Sequence, residues 1–157
     1  MNHKELAFIS FQRDLGKYVA YVPVQQFLSH EGDAEAEMKK ASVVYEHAVL
    51  RMQSVLSEIA DYRHRRVVLP ATKMWELGDN IFKLVEDLKA LSFQIDGIYE
   101  HLVRDLNVKR KWLEKVIIFR RHIPDEHLIP RSLGWGVCEK GTRRKAERIS
   151  QGLPPVV

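Results

Sequence analysis

The side chains most able to do chemistry in this chain are cations grouped in the last third of the sequence. Residues 104–148 hold 13 Lys and Arg against 6 Asp and Glu, whereas residues 67–103 hold 3 against 6. Lysine and arginine neutralise phosphates, and arginine can also pair with guanine through two parallel hydrogen bonds. This asymmetry predicts an anionic partner, with a solvated charged surface as the alternative. The candidate binding residues are Lys109, Arg110, Lys111, Lys115, Arg120, Arg121, Arg143, Arg144 and Lys145.

Other kinds of chemical site find little support in the sequence. It has no glycine-rich phosphate loop, no nucleophile elbow and a single cysteine, Cys138, so it has no zinc-binding cysteine pair. His122 and His127 flank Pro124 and do not share a helix face as paired zinc ligands would. We therefore expect no metal, no cofactor and no enzymatic activity. The enzymatic alternative is a ribonuclease of the HEPN type, in which Arg121 and His127 act on a phosphodiester, but Pro124 interrupts the helix that presents such a pair.

Two long amphipathic helices are expected to precede the basic segment. Apolar residues recur at helical spacing through 34–62, after the N-cap candidate Asp33. A second apolar stripe, with steps of three and four residues, continues through 71–91. We expect these helices to pack as an antiparallel pair, and a coiled coil is the alternative.

The start of the chain is ambiguous. Phe8, Phe11, Leu15 and neighbouring apolar residues recur near helical spacing, which favours a helix over 4–28. The run of aromatic and β-branched residues just before Pro23 is also compatible with a short strand. We expect a helix here.

Two short helices separated by a tight turn are expected within the basic segment. Asp96 is the expected N-cap of the first helix, and the second runs from about Lys109 to Arg121. Asn107, between them, tolerates the left-handed backbone that such a turn requires. Val103 departs from the usual pattern, because bacterial repressors keep a small residue there so that the helices approach closely. The apolar positions of a DNA-binding helix-turn-helix are filled by Leu102, Leu106, Val108, Leu113 and Val116.

This arrangement predicts a protein that binds double-stranded DNA. The N-terminal end of a recognition helix enters the major groove, and Lys109, Arg110 and Lys111 lie at that end. A short basic helix over 142–150 would contact phosphates as well, unless it is a solvated tail. Other nucleic acids and a plain helical corner remain as alternatives. The main rival is a helical protein-interaction module, such as an accessory subunit or antitoxin, that grips a partner through its apolar stripes.

The expected fold is therefore all-α, a helical bundle with a C-terminal helix-turn-helix subdomain. Its predicted parts are an N-terminal helical region over 1–66, a DNA-binding region over 67–150 and a disordered tail over 151–157. A helix as long as 34–62 is expected to pack along most of its length against another element, which a second copy of the chain can supply, so we expect a homodimer. With no long apolar run, no secretory signal and one cysteine, the chain is expected in the reducing cytoplasm.

Three short motifs recur in the order seen in a known family. They are Trp75-Glu-Leu-Gly78, the turn and basic helix over 107–121, and Leu133-Gly-Trp-Gly136 followed by a basic helix. Together they resemble the N-terminal domain of the YhcG-type predicted nucleases, over roughly 67–149. The resemblance implies a helical DNA-binding module of the kind linked to mobile elements or restriction-like systems. It implies that Lys109, Arg110 and Lys111 lie on the family's basic helix and that Trp75 and Trp135 are structural. The family's separate nuclease domain has no counterpart in these residues, so no cleavage activity is implied.

Overall fold

The computed structural model describes residues 6–29 and 33–156 and shows a helix-rich α/β protein. The strands are β1 (Ala7–Asp14), β2 (Lys17–Tyr21) and β3 (Phe93–Ile95). The helices are α1 (Val24–Ser29), α2 (Ala34–His64), α3 (Ala71–Ala90), α4 (Ile98–Leu106), α5 (Arg110–His122), α6 (Trp135–Cys138) and α7 (Thr142–Ser150). The chain divides into two compact units: unit 1 (Met1–Leu50 and Phe82–Asn107) and unit 2 (Arg51–Ile81 and Val108–Val157).

Unit 1 is built on a three-stranded sheet in the order β2-β1-β3. Strand β1 pairs antiparallel with β2 and parallel with β3. Along β1, Ala7, Ile9 and Phe11 are buried, whereas Phe8 and Gln12 are exposed. This alternation is the two-residue period of a strand with one face in the core.

The expectation of an all-α fold is therefore wrong. Most of the helix predicted over 4–28 is a β-hairpin followed by the short helix α1, and residues 4 and 5 lie outside the described part of the chain. The chain reverses at Leu15 and Gly16, whose φ angles of 50° and 80° are both positive. Two-residue hairpins with this backbone usually contain Asn-Gly or Asp-Gly, so a Leu-Gly turn gives little sequence signal.

Strand β3 is a second departure from the predicted fold. It occupies the residues just before Asp96, whose backbone N–H donates a hydrogen bond to the carbonyl of Ile9 at 2.8 Å. Asp96 therefore closes the sheet instead of capping a helix. The N-cap of α4 is Gly97, with φ of 79°.

Aromatic rings and a buried histidine connect the sheet of unit 1 to its helices. The rings of Phe11 and Tyr45 are stacked, with centroids 4.3 Å apart. His101 is buried in α4, and its Nε2 accepts a hydrogen bond from the backbone N–H of Phe11 at 2.9 Å. Its Nδ1 lies 2.8 Å from the carbonyl of Gly97. Since a carbonyl can only accept, Nδ1 donates here, and the geometry fits a neutral imidazole.

A hydrogen-bonded carboxylate lies beside this cluster. The hydroxyl of Tyr45 donates a hydrogen bond to Asp105, and Arg104 Nε pairs with the same carboxylate at 2.8 Å. Burial raises the pKa of Asp105, but the hydrogen bonds from Arg104 and Tyr45 outweigh it and hold the pKa below its usual range. Burial and the hydrogen bond to Asp105 raise the pKa of Tyr45, so the phenol stays protonated.

Unit 2 is mainly helical, and α7 packs along α5 in its core. Phe119 of α5 is fully buried and meets the ring of Trp135 edge to face, with centroids 5.3 Å apart. The backbone N–H of Trp135 donates to the carbonyl of Leu69 at 2.7 Å, next to an isolated bridge between Pro70 and Gly134. Trp135 is therefore buried in this unit, and Gly134 lets its backbone approach the segment that contains Pro70.

The helices predicted over 34–62, 71–91, 109–121 and 142–150 are confirmed, with ends that differ by at most two residues. Asp33 caps α2 by accepting a hydrogen bond from the backbone N–H of Ala36 at 3.1 Å. After α7 the chain turns back at Gly152, whose φ is 75°, and Arg148 Nε donates to the carbonyl of Pro154 at 2.7 Å. Val157 lies outside the described residues.

Candidate nucleic-acid interface

Helix α5 is fixed to α3 by a tight joint around Gly78. A Cβ added at Gly78 would lie 2.6 Å from Cβ of Arg120, so only glycine permits this approach. Arg120 Nε donates to Asp79 at 3.0 Å, and its guanidinium lies 4.8 Å from the ring centroid of Trp75. Trp75 Nε1 donates to the carbonyl of Ile123 at 2.7 Å. The structure therefore gives Arg120, a predicted DNA contact, a role in holding α5.

The first turn of α5 presents three of the predicted cations to solvent. Asn107 precedes it with φ of 54° and ψ of 52°, the left-handed conformation expected from the sequence. Lys109, Arg110 and Lys111 are all exposed. Arg110 Nε pairs with Glu114 at 3.1 Å, one turn further along the helix. Within the described parts of the chain, neither Lys109 nor Lys111 has an ion-pair partner.

The basic residues of α7 fall into two classes. Arg143 Nε pairs with Glu147 at 3.1 Å, and Lys145 Nζ donates to the carbonyl of Val137 at 2.5 Å, so both are engaged within unit 2. Arg144 is exposed and makes no ion pair with any residue that the structure describes. Its side chain is therefore available to an external anion.

A groove that is open to solvent runs between α5 and the beginning of α7. Lys115 of α5 lines it, together with Lys140, Arg143 and Arg144. Glu139 and Glu147 are also in the lining, and Glu147 is already paired with Arg143. Among residues 6–29 and 33–156, Lys115 and Lys140 find no ion-pair partner. The groove thus gathers more positive than negative charge from two helices and the loop between α6 and α7.

Charge also separates between the two units. Unit 2 contains 17 Lys and Arg against 9 Asp and Glu, whereas unit 1 contains 8 against 12. Unit 2 is therefore the part of the protein whose net charge attracts anions. The basic segment of the sequence lies almost wholly within it.

The structure brings together some of the predicted binding residues and separates others. Lys115, Arg143 and Arg144 line one groove, and Lys109, Arg110 and Lys111 share the first turn of α5. Arg121 is exposed near the C-terminal end of α5, whereas Arg120 and Lys145 are engaged in internal contacts. Sequence analysis missed Lys140, which lies in the groove lining. Its position directly before Gly141 and the basic helix was the available signal.

Groups considered for other chemistry have ordinary structural settings. The side chain of His127 is 92% exposed, and its Nδ1 lies 2.9 Å from the carboxylate of Asp125. Cys138 is buried, and burial raises the pKa of its thiol to about 11, which keeps it protonated and unreactive near neutral pH. In the part of the chain that the structure describes, no three His, Cys, Asp or Glu side chains are grouped to hold a metal ion.

No protein-family model, no curated protein and no solved structure matches the chain. None of the helices in the described residues is long and apolar enough to cross a membrane.

Proposed function

We propose that unit 2 binds double-stranded DNA, and that the protein serves as a transcription regulator or as a DNA-binding component of a mobile-element or defence system. The first turn of α5 enters the major groove, where Lys109, Arg110 and Lys111 reach base edges and phosphates. The cations of the α5–α7 groove contact the phosphate backbone and fix the register of the helix.

The observation on which the proposal rests is the convergence of unpaired cations on one groove. Lys115, Lys140 and Arg144 come from separate elements, yet all three line it without an ion-pair partner among the described residues. Solvated charges near helices more often pair one turn apart, as Asp61 near the end of α2 and Arg65 just after the helix do at 2.9 Å. Cations held together without such partners repel one another, and a phosphate backbone relieves that repulsion.

The motifs that resemble the YhcG-type nucleases add support. Trp75 and Gly78 of the first motif hold α5 in place, as described above. In the last motif, Trp135 is buried, and a Cβ added at Gly134 would lie 2.7 Å from Cγ1 of Val68. The tryptophans and glycines of these motifs thus have packing roles, and Lys109, Lys111 and Lys115 are left for a ligand. A DNA-binding module of that kind can contact phosphates through these cations.

Fluorescence anisotropy with a labelled DNA duplex of mixed sequence tests the proposal. We expect the wild-type chain to bind at low salt. The double variant Lys115→Glu/Arg144→Glu should bind roughly thirtyfold more weakly, taking about 1 kcal/mol for each lost phosphate contact. Neither side chain belongs to the buried core, so circular dichroism should show an unchanged helix content.

The matched control is Lys39→Glu/Lys40→Glu, which changes the net charge equally but lies on α2 in unit 1. It should bind the duplex like the wild type. An equal loss in both double variants would show that only net charge matters and would contradict the assigned groove. Tighter binding to single-stranded RNA would also contradict the proposal. Absence of DNA binding, with a stoichiometric protein partner in the purified sample, would favour the helical interaction module instead.

A further inference from the structure

We propose that the outer edge of β2 pairs with the same edge of a second copy of this chain, joining two sheets into one. The inference concerns unit 1 and does not depend on DNA binding by unit 2. It gives the expected homodimer a specific interface. It also gives a role to an apolar strand that the DNA-binding proposal leaves unused.

Strand β2 has an open edge. It lies at one side of the sheet, next to β1 only, and its register with β1 is regular from Lys17 to Tyr21. Apart from that pairing, the structure records no hydrogen bond to its backbone from any described residue. Natural sheets protect such edges with proline, bulges or charges. Within β2 the only charge is Lys17, at its first position, so its centre is unprotected.

The backbone of β2 is complementary to itself. The two-residue turn at Leu15 and Gly16 makes the residue pair that flanks it a hydrogen-bonded pair. Alternation along the ladder then directs the N–H and C=O groups of Tyr18 and Ala20 away from β1. An antiparallel pairing with a two-fold axis at Val19 sets Tyr18 opposite Ala20 of the second copy. Each of these residues then both donates to and accepts from its opposite number.

The side chains favour this antiparallel arrangement. Val19 and Tyr21 lie on the outer face of the sheet and are 37% and 46% exposed, and Phe8 of β1 extends the same apolar face at 42%. The two-fold axis places Val19 against Val19 of the second copy and Lys17 beside Tyr21, where its ammonium group can contact the ring. Parallel pairing in register would instead set Lys17 against Lys17. A contact that uses the same patch twice is the usual basis of a two-fold dimer.

Sedimentation equilibrium of the full chain tests the interface, with the wild type expected to be a dimer. Val19→Lys sets two like charges against each other on the axis and should weaken dimerisation at least about tenfold. Val24→Lys is the matched control, because Val24 lies on α1, outside the paired strand, and is 73% exposed. It should leave the dimer intact.

Cysteine cross-linking tests the register independently of how Val19→Lys folds. Residues opposite each other in a non-hydrogen-bonded antiparallel pair lie close enough for a disulfide, so Val19→Cys should form a disulfide-linked dimer under mild oxidation. Tyr21→Cys should not, because the two copies of that residue are separated along the strands. The native Cys138 is buried and leaves the assay clean. A monomeric wild type, a stable Val19→Lys dimer, a dissociated Val24→Lys or equal cross-linking of both cysteine variants would each overturn the proposal.

Discussion

The close approach of α3 to α5 at Gly78 determines whether Gly78→Ala stabilises or destabilises the protein. Replacing glycine by alanine inside a helix ordinarily stabilises a protein by about 1 kcal/mol. At Gly78, however, the new Cβ would lie 2.6 Å from Cβ of Arg120 and 3.0 Å from the carbonyl oxygen of Val116. Both atoms belong to the rigid part of α5, so the helices must separate. Overpacking ordinarily costs about 1–3 kcal/mol, and the clash with rigid atoms sets the cost here at about 2–3 kcal/mol, which exceeds the propensity gain by about 1–2 kcal/mol.

We therefore expect Gly78→Ala to lower the free energy of unfolding by about 1–2 kcal/mol net and to lower the melting temperature by about 3–6 °C. Urea unfolding followed by circular dichroism measures the free energy of unfolding, whether the substitution raises or lowers it. Gly136→Ala is the matched control, because a Cβ at that position meets nothing within 4 Å. It should unfold at the same urea concentration as the wild type or slightly above it. A Gly78→Ala variant as stable as the wild type would refute the close approach of α5 to α3.

Three further predictions concern backbone conformation and pH. Asn107→Val should lower the free energy of unfolding by about 1–2 kcal/mol, because a β-branched residue resists a φ of 54°. Asn107→Gly should not lower it, and the urea midpoints of the two variants measure the difference. Leu15→Asn should raise the free energy of unfolding by about 0.5–1 kcal/mol, because Asn tolerates the left-handed turn. An unchanged melting temperature would contradict this stabilisation. The third prediction concerns Asp105. Burial raises the pKa of its carboxyl group, but the hydrogen bonds from Arg104 and Tyr45 outweigh burial and hold the pKa below its usual range. Its contribution to stability is therefore complete above about pH 4 and is lost as the pH falls through the lowered pKa. Asp105→Asn should flatten this acid-side loss in unfolding curves, and an unchanged slope would count against the assigned hydrogen bonds.

The sequence predicts well those elements whose signals are local. Helices α2, α3, α5 and α7 follow from the spacing of apolar residues and from neighbouring caps such as Asp33. The left-handed turn at Asn107 follows from the small set of residues that tolerate it. Strand β3 could not be predicted in the same way. It has only three residues and exists because it pairs with β1, which lies far away in the sequence.

The hairpin escaped prediction because two patterns coincide in the same residues. Phe8, Phe11 and Leu15 follow one another at helical steps, while the alternation that marks a strand depends on knowing that Phe8 is exposed. Its turn also lacks the usual asparagine or aspartate before glycine. The local spacing of apolar residues favours a helix, but pairing of β1 with β2 and β3 stabilises a strand.

The binding site shows a similar division. The sequence reveals the concentration of cations, because charge can be counted. It does not reveal which cations are engaged, because their partners are distant along the chain. Arg120 meets Asp79 and Trp75 only once α3 and α5 have packed, and Lys145 finds a backbone carbonyl in α6. Lys140 joins the groove for the same reason, through the packing of α7 on α5.

The salt dependence of duplex binding tests the central claim most directly. If the five unpaired cations of the first turn of α5 and the groove contact phosphates, a plot of log affinity against log salt should have a slope of roughly −4.5. The affinity should then fall roughly 500-fold between about 50 and about 200 mM salt. In Lys115→Glu/Arg144→Glu the slope should be shallower by about 2. A slope near zero, or a double variant with the slope of the wild type, would contradict DNA binding by this groove. The cations counted are Lys109, Lys111, Lys115, Lys140 and Arg144.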